Sequence, residues 1–432
     1  MRQTVLAFSL IIIISVSFVP LAAKTWYVNG GGGGDVSTIQ EGIDVASDGD
    51  TVMLAAAVYS GPGNTDVNFK GKAVVVTSQS GHSSTTIDCG SSTRAFILQN
   101  GEGAGSVING ITIRDGFHAS FGGAIYCIGA SPTISDNVFV GNESTFRGGA
   151  VYCDTSTATL IHNTFEMNTS GFGGAVWCSG GQSLTITDNE FISNVADFSG
   201  GAIASRETGT SITTNTFELN TAANYGGAIY CDQSSTNSIS TNEFHNNSAT
   251  GNGGAIAWVS STVTVDFNLF KENSGALGGA VYVNDLAGGG IDRNTFDKNE
   301  ATSGSGAAIY CTNFSAPPIS KNIFSNSTTG NAVGTGNDSV PLISCCCFYN
   351  NEGGDLLPPG SFNGGGNFIG DPEYCGIPGS GNYYLQADSP CTPGNHPNGA
   401  SCETIGAMPI SCGTTSAKVK SWGAIKDLYK ND

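Results

Sequence analysis

Apolar and polar residues alternate in short bursts along this chain, and the bursts recur. From Gly122 to Cys311 a glycine pair followed by alanine and an aliphatic residue appears eight times. It begins as Gly122-Gly123-Ala124-Ile125, repeats as Gly148-Gly149-Ala150-Val151, and ends worn to Gly306-Ala307-Ala308-Ile309. Successive alanines stand 25–28 residues apart. Between them runs Asn-x-Phe-x-x-Asn, from Asn137/Phe139/Asn142 to Asn294/Phe296/Asn299, loosening at Asn322/Phe324. A fixed period in this range predicts a solenoid. The units are rich in Gly, Asn, Thr, Ser and β-branched residues and carry no helical apolar stripe, so each reads as short strands and turns. The predicted fold is all-β, a single parallel β-helix of about 26 residues per coil.

Alternate residues of a strand point to opposite faces. The column after the alanine is Ile125, Val151, Val176, Ile203, Ile229, Ile256, Val281 and Ile309; two residues on lie Cys127, Cys153, Cys178, Ser205, Cys231, Trp258, Val283 and Cys311. Both are expected to face inward, as are the phenylalanines of the second phrase. The column between them mixes Tyr126, Tyr152, Trp177, Tyr230, Tyr282 and Tyr310 with Ala204 and Ala257. Exchanging Tyr for Ala opens a hole in a packed interior but costs little on a surface, which places this aromatic ladder outside. The asparagines are expected at the turns, where Asn tolerates a left-handed backbone, and stacked coil on coil they can join in hydrogen-bonded ladders.

The paired phrases Gly-Gly-Ala-Ile and Phe-x-x-Asn resemble those of the chlamydial polymorphic outer membrane proteins, over about Gly122 to Asn326. More broadly, the chain resembles bacterial secreted right-handed β-helix repeat proteins of the pectin-lyase-like superfamily. That resemblance implies right-handed coiling, the usual hand of parallel crossovers.

The ends read differently. Residues 1–23 have the charge, apolar run and Leu21-Ala22-Ala23 site of a signal peptide, so the mature chain is expected to be secreted or on the outer cell surface. Residues 24–372 are assigned to the β-helix with its N-terminal cap. There Trp26-Tyr27-Val28 is the first strand, and Ser37-Thr38-Ile39-Gln40 reads as a capping box opening a short helix to about Ala46. Residues 373–412 form a Cys-rich C-terminal cap similar to the closing segment of the secreted family. Cys375, Cys391, Cys402 and Cys412 suggest two disulfides there, with three pairings open. Of the 13 cysteines, those in the ladder read as inert core, with a Cys127–Cys153 bridge as the alternative. Residues 413–432 form a basic, aromatic tail that reads as a docked or frayed helix or as a recognition signal. The long membrane barrel of the chlamydial proteins is not expected here.

A net charge of −19 argues against nucleic acid and anionic membranes as partners. Polyglycine at Gly30–Gly34 has no following Lys and carries no nucleotide-binding signal. No calcium-repeat or EF-hand spacing occurs, and neither metal nor cofactor is expected. The resemblance raises polysaccharide lyases and hydrolases, whose chemistry needs clustered carboxylates or a basic residue beside an acidic site. No such cluster stands out, and no catalytic residue is assigned. The expected function is a monomeric, non-catalytic, adhesin-like or structural rod. Its ladder Tyr126, Tyr152, Trp177, Tyr230, Tyr282 and Tyr310 offers rings for a polysaccharide or another surface macromolecule. The alternative is a polysaccharide lyase or glycoside hydrolase with an unrecognised active site.

Overall fold

The computed structural model describes residues 22–412 except 182, 234–235, 356, 359–360 and 376–381. The signal-peptide assignment thus falls almost wholly outside the described residues, and the tail 413–432 falls wholly outside them. Four parallel sheets of 14, 13, 11 and 8 strands run along one solenoid. A typical coil carries strands Ile125–Ile128, Thr133–Ser135, Val138–Val140 and Glu143–Arg147, after which Val151–Asp154 opens the next. Pairing is in register, Ile125 with Val151 and Phe139 with Phe165.

The expected inward columns are the core. The residues from Ile125 to Ile309 after each alanine, and from Cys127 to Cys311 two places on, are buried. The phenylalanines form a continuous stack, with centroids 4.8 Å apart for Phe139–Phe165, 4.9 Å for Phe191–Phe217 and 4.7 Å for Phe270–Phe296. That spacing is the interstrand distance itself. The glycine pair follows from closeness: Gly173 has φ +62°, and a Cβ there would lie 2.1 Å from the Val176 carbonyl oxygen.

Both asparagine ladders form. Asn215 Nδ2 donates to Asn242 Oδ1 at 3.0 Å, to Ile186 O at 2.9 Å and to Thr213 O at 2.9 Å. Its Oδ1 accepts from the backbone and side-chain nitrogens of Asn189. The turn mechanism differs from the expectation, however. The left-handed residue is the one before each asparagine, as at Asp136, His162, Asp188 and Thr214. The asparagines are buried struts that hold their corners from inside, so any L-residue in front of them is forced into the strained backbone.

At the N-terminus, helix Ile39–Val45 is capped by Thr38 and Glu41, one place on from the expected Ser37. Ile39, Ile43 and Ala46 are buried. At the other end the disulfides are Cys345–Cys402 and Cys375–Cys412. This corrects the expectation that Cys375, Cys391, Cys402 and Cys412 pair among themselves: Cys402 reaches into the last coils, and Cys391 is a buried free thiol. Cys127 and Cys153 are also free. The cap does more than close the rod. Tyr383 donates its hydroxyl to buried Asp297 at 2.7 Å, and the Gly406 and Ala407 amides reach Lys321 O and Thr295 Oγ1. The segment therefore folds back along the 13-stranded sheet.

Candidate functional site

The aromatic ladder does point away from the core, but it is not the free surface expected. Tyr152, Trp177 and Tyr282 are buried, while Tyr126, Tyr230 and Tyr310 are half-buried. The cause is the eight-stranded sheet, which lies over them as a roof. Its strands Glu143–Arg147, Thr169–Phe172 and Val195–Ser199 bring a second set of rings onto the first. Phe121 stacks on Tyr152 at 4.7 Å, and Phe172 meets Trp177 edge-on at 6.0 Å. Further along, Tyr225 stacks between Tyr230 at 5.9 Å and Tyr282 at 5.8 Å.

On this face the most exposed rings belong to the roof. Phe146 is 57 % exposed and Phe198 48 %, and Phe172, half-buried, stacks on Phe198 at 5.1 Å. Gly171 lies in the coil between Phe146 and Phe198; a Cβ there would stand 3.4 Å from the Phe198 ring. The sequence signal for this second column was an aromatic one or two places before the glycine pair, at Phe121, Phe146, Phe172, Phe198 and Tyr225. Its drift between those two places puts it out of phase with the period counted from the alanines.

Polar groups finish the face. Trp177 Nε1 donates to Ser179 Oγ at 3.0 Å, which donates to Asp154 Oδ1 at 2.9 Å. Burial, then the Asp154 charge, pushes the Tyr152 hydroxyl above its ordinary value. Arg94 is buried, with its guanidinium 4.8 Å from the Tyr126 ring and a hydrogen bond to Phe121 O at 2.9 Å. Burial first, and Arg94 second, hold the nearby His118 imidazole below the usual histidine value. Arg147 lies 4.3 Å from the Trp177 ring.

A second cluster sits where the cap meets the solenoid. Burial, then Asp292, pushes the Asp266 carboxyl up to about 6. Asp292 pairs with Arg293, and Glu403 of the cap pairs with both Arg293 and Lys321. Phe267, Arg293, Glu403, Met408 and Ile410 line a groove of about 470 Å³ there. Glu403 of the cap meets Arg293 and Lys321 of the solenoid across this junction, which makes it a docking contact.

Two family models match the chain. One, described as a right-handed beta helix region, covers residues 174–348. The other, described as periplasmic copper-binding protein (NosD), covers residues 34–255, more than half of the chain. The chain belongs to the NosD family. The solenoid of this NosD relative is accordingly a right-handed parallel β-helix. None of the curated protein sequences matches it. Among solved structures it is similar to a family 6 polysaccharide lyase, the alginate lyase AlyGC. The identity is 12% and the TM-score 0.44 over 84% of this chain, which spans only 55% of that lyase. It is also similar to a mannuronic-acid-specific family 6 lyase from human gut microbiota, at 13% identity and TM-score 0.37, covering 80% of this chain and 83% of that one. A third is the A-module of the mannuronan C-5 epimerase AlgE6 of Azotobacter vinelandii. Here the identity is 14% and the TM-score 0.38, over 77% of this chain and 94% of the module. At these scores no function carries over from those structures.

The family description names copper, and the donor set of this chain does not fit it. Copper is held by thiolates, thioethers or imidazoles that converge. All the cysteines and histidines lie among the described residues, and no three or more His, Cys, Asp or Glu side chains there come together as a metal site. The inward thiols are sealed. A hydrogen bond with Cys127, and then burial, hold Cys153 protonated well above its ordinary value, and burial does the same at Cys178. Of the described methionines, Met53, Met167 and Met408 sit on separate parts of the fold.

Proposed function

We propose that this NosD-family chain is an exported, non-catalytic β-helix that binds carbohydrate on its roof. The observation that carries the reading is the exposed pair Phe146 and Phe198, backed by Phe172 and the buried ladder beneath. Flat apolar rings held rigidly on a sheet and rimmed with polar groups suit the faces of sugar rings. Their anchoring also limits the side-chain entropy lost on binding. The solenoid sets Phe146, Phe172 and Phe198 along successive coils, which suits a polymer more than a small molecule. Export agrees with the periplasmic character of the family. No helix among the described residues is long and apolar enough to cross a membrane. The reading takes the protein as a monomer.

The test is a polysaccharide panel scored for retention and for product, with the wild type beside a Phe146→Ala/Phe198→Ala double variant. Retention without product, lost in the variant while its thermal unfolding is unchanged, is the expected result. Appearance of unsaturated or shortened products would replace this reading with that of a lyase or hydrolase.

A further inference from the structure

Arg147 is the odd cation of this molecule. Arg114 pairs with Asp88, Arg206 with Glu207 and Asp232, and Arg293 with Asp292 and Glu403. Arg94 is spent on Phe121 O. Among the described arginines, Arg147 alone has neither a carboxylate within 4.0 Å nor a side-chain hydrogen bond, and its Nε–H, like that of Arg206, is enclosed without a hydrogen-bond acceptor. Its place is fixed nonetheless. The backbone is in register with Phe121 on one side and Phe172 on the other, next to a bulge that begins at Ser144. The guanidinium lies 4.3 Å from the Trp177 ring and 6.0 Å from that of Phe121. The roof strands themselves carry Glu143 and Asp197, yet neither pairs with Arg147.

We propose that the polymer bound on the roof carries carboxylates and that Arg147 selects for them. This rests on the glycan reading above. A guanidinium presents its donors as a planar fork that matches a carboxylate bidentately. Aromatic neighbours orient it, so a charge arriving beside Phe172, its partner in register, meets a pre-positioned guanidinium. Sugar rings stacked on the exposed phenylalanines set the polymer in place, and Arg147 reads its charge. The net charge of −19 repels acidic polymers from the molecule as a whole, so the attraction at Arg147 is a local one.

The experiment compares polygalacturonate, alginate and hyaluronan, each with its carboxyl-reduced form, on wild type and Arg147→Gln. For at least one pair, the acidic form should bind the wild type about tenfold more tightly, and the preference should shrink with salt. In Arg147→Gln the ratio should fall to about twofold, with affinity for the reduced polymer and the thermal midpoint unchanged. Equal binding of both forms by the wild type, or a ratio that survives Arg147→Gln, overturns this inference and leaves the glycan reading intact. If no polymer of either form is retained, the glycan reading fails and this one with it.

Discussion

Asn215 shows how little of the stability lies in any one apolar contact. Its amide ties three coils together, and its removal strands the Asn189 amide and the Ile186 carbonyl in a dry interior. Each orphaned group costs about 1–3 kcal/mol, so Asn215→Ala should destabilise the middle coils by about 3 kcal/mol. Because a solenoid opens locally, hydrogen exchange of residues 186–242 reports this better than a global midpoint. Asp266 gives a prediction of opposite sign. Burial beside Asp292 raises its pKa to about 6. An acid with a raised folded pKa binds its proton more tightly when folded, so its cost is absent near pH 4 and complete above about pH 6. Asp266→Asn should therefore raise stability at pH 8 by about 1–2 kcal/mol, a figure reduced for partial exposure, and change nothing at pH 4. The inward columns were legible from period and β-branching alone. The residues bearing the strained backbone were not, because a positive φ at His162 or Thr214 is imposed by the neighbouring strut and leaves no residue signature.

At the scale of elements, the roof and the cap decide what the solenoid exposes. Period and column composition placed the ladder outside the core, which is correct. They could not place the roof strands over it, because those strands are bulged at Ser144 and Ser170 and their aromatics fall out of phase. The two layers should respond differently to truncation. Tyr152→Ala, beneath the roof, should cost about 3 kcal/mol, whereas Phe198→Ala, on top, should stay within about 0.5 kcal/mol; thermal or denaturant unfolding separates them. The cap was legible as Cys-rich but its pairing was not, since Cys345 sits in a run of three cysteines that reads as coil. Thiol titration of the unfolded, unreduced protein should count nine reactive groups, Cys391 among them. In the native state none of these buried thiols should react.

Across the whole molecule, a long core with two buried asparagine ladders makes a stiff scaffold whose faces differ. One carries the folded-back cap, another the roof with its phenylalanines and Arg147. Membership of the NosD family does not bring a copper site with it here. The protein titrated with Cu(I) in the presence of a competing chelator should take none from it, because its soft donors are sealed or scattered. On the proposed reading the acting face is the roof. Hydroxyl-radical footprinting of the protein, alone and with the polysaccharide it retains, tests this most directly. The account predicts that Phe146, Phe172 and Phe198 become protected while Leu286 and Phe362, exposed elsewhere on the rod, react as before. Protection at the cap groove around Phe267 and Ile410, with the roof unchanged, would contradict it.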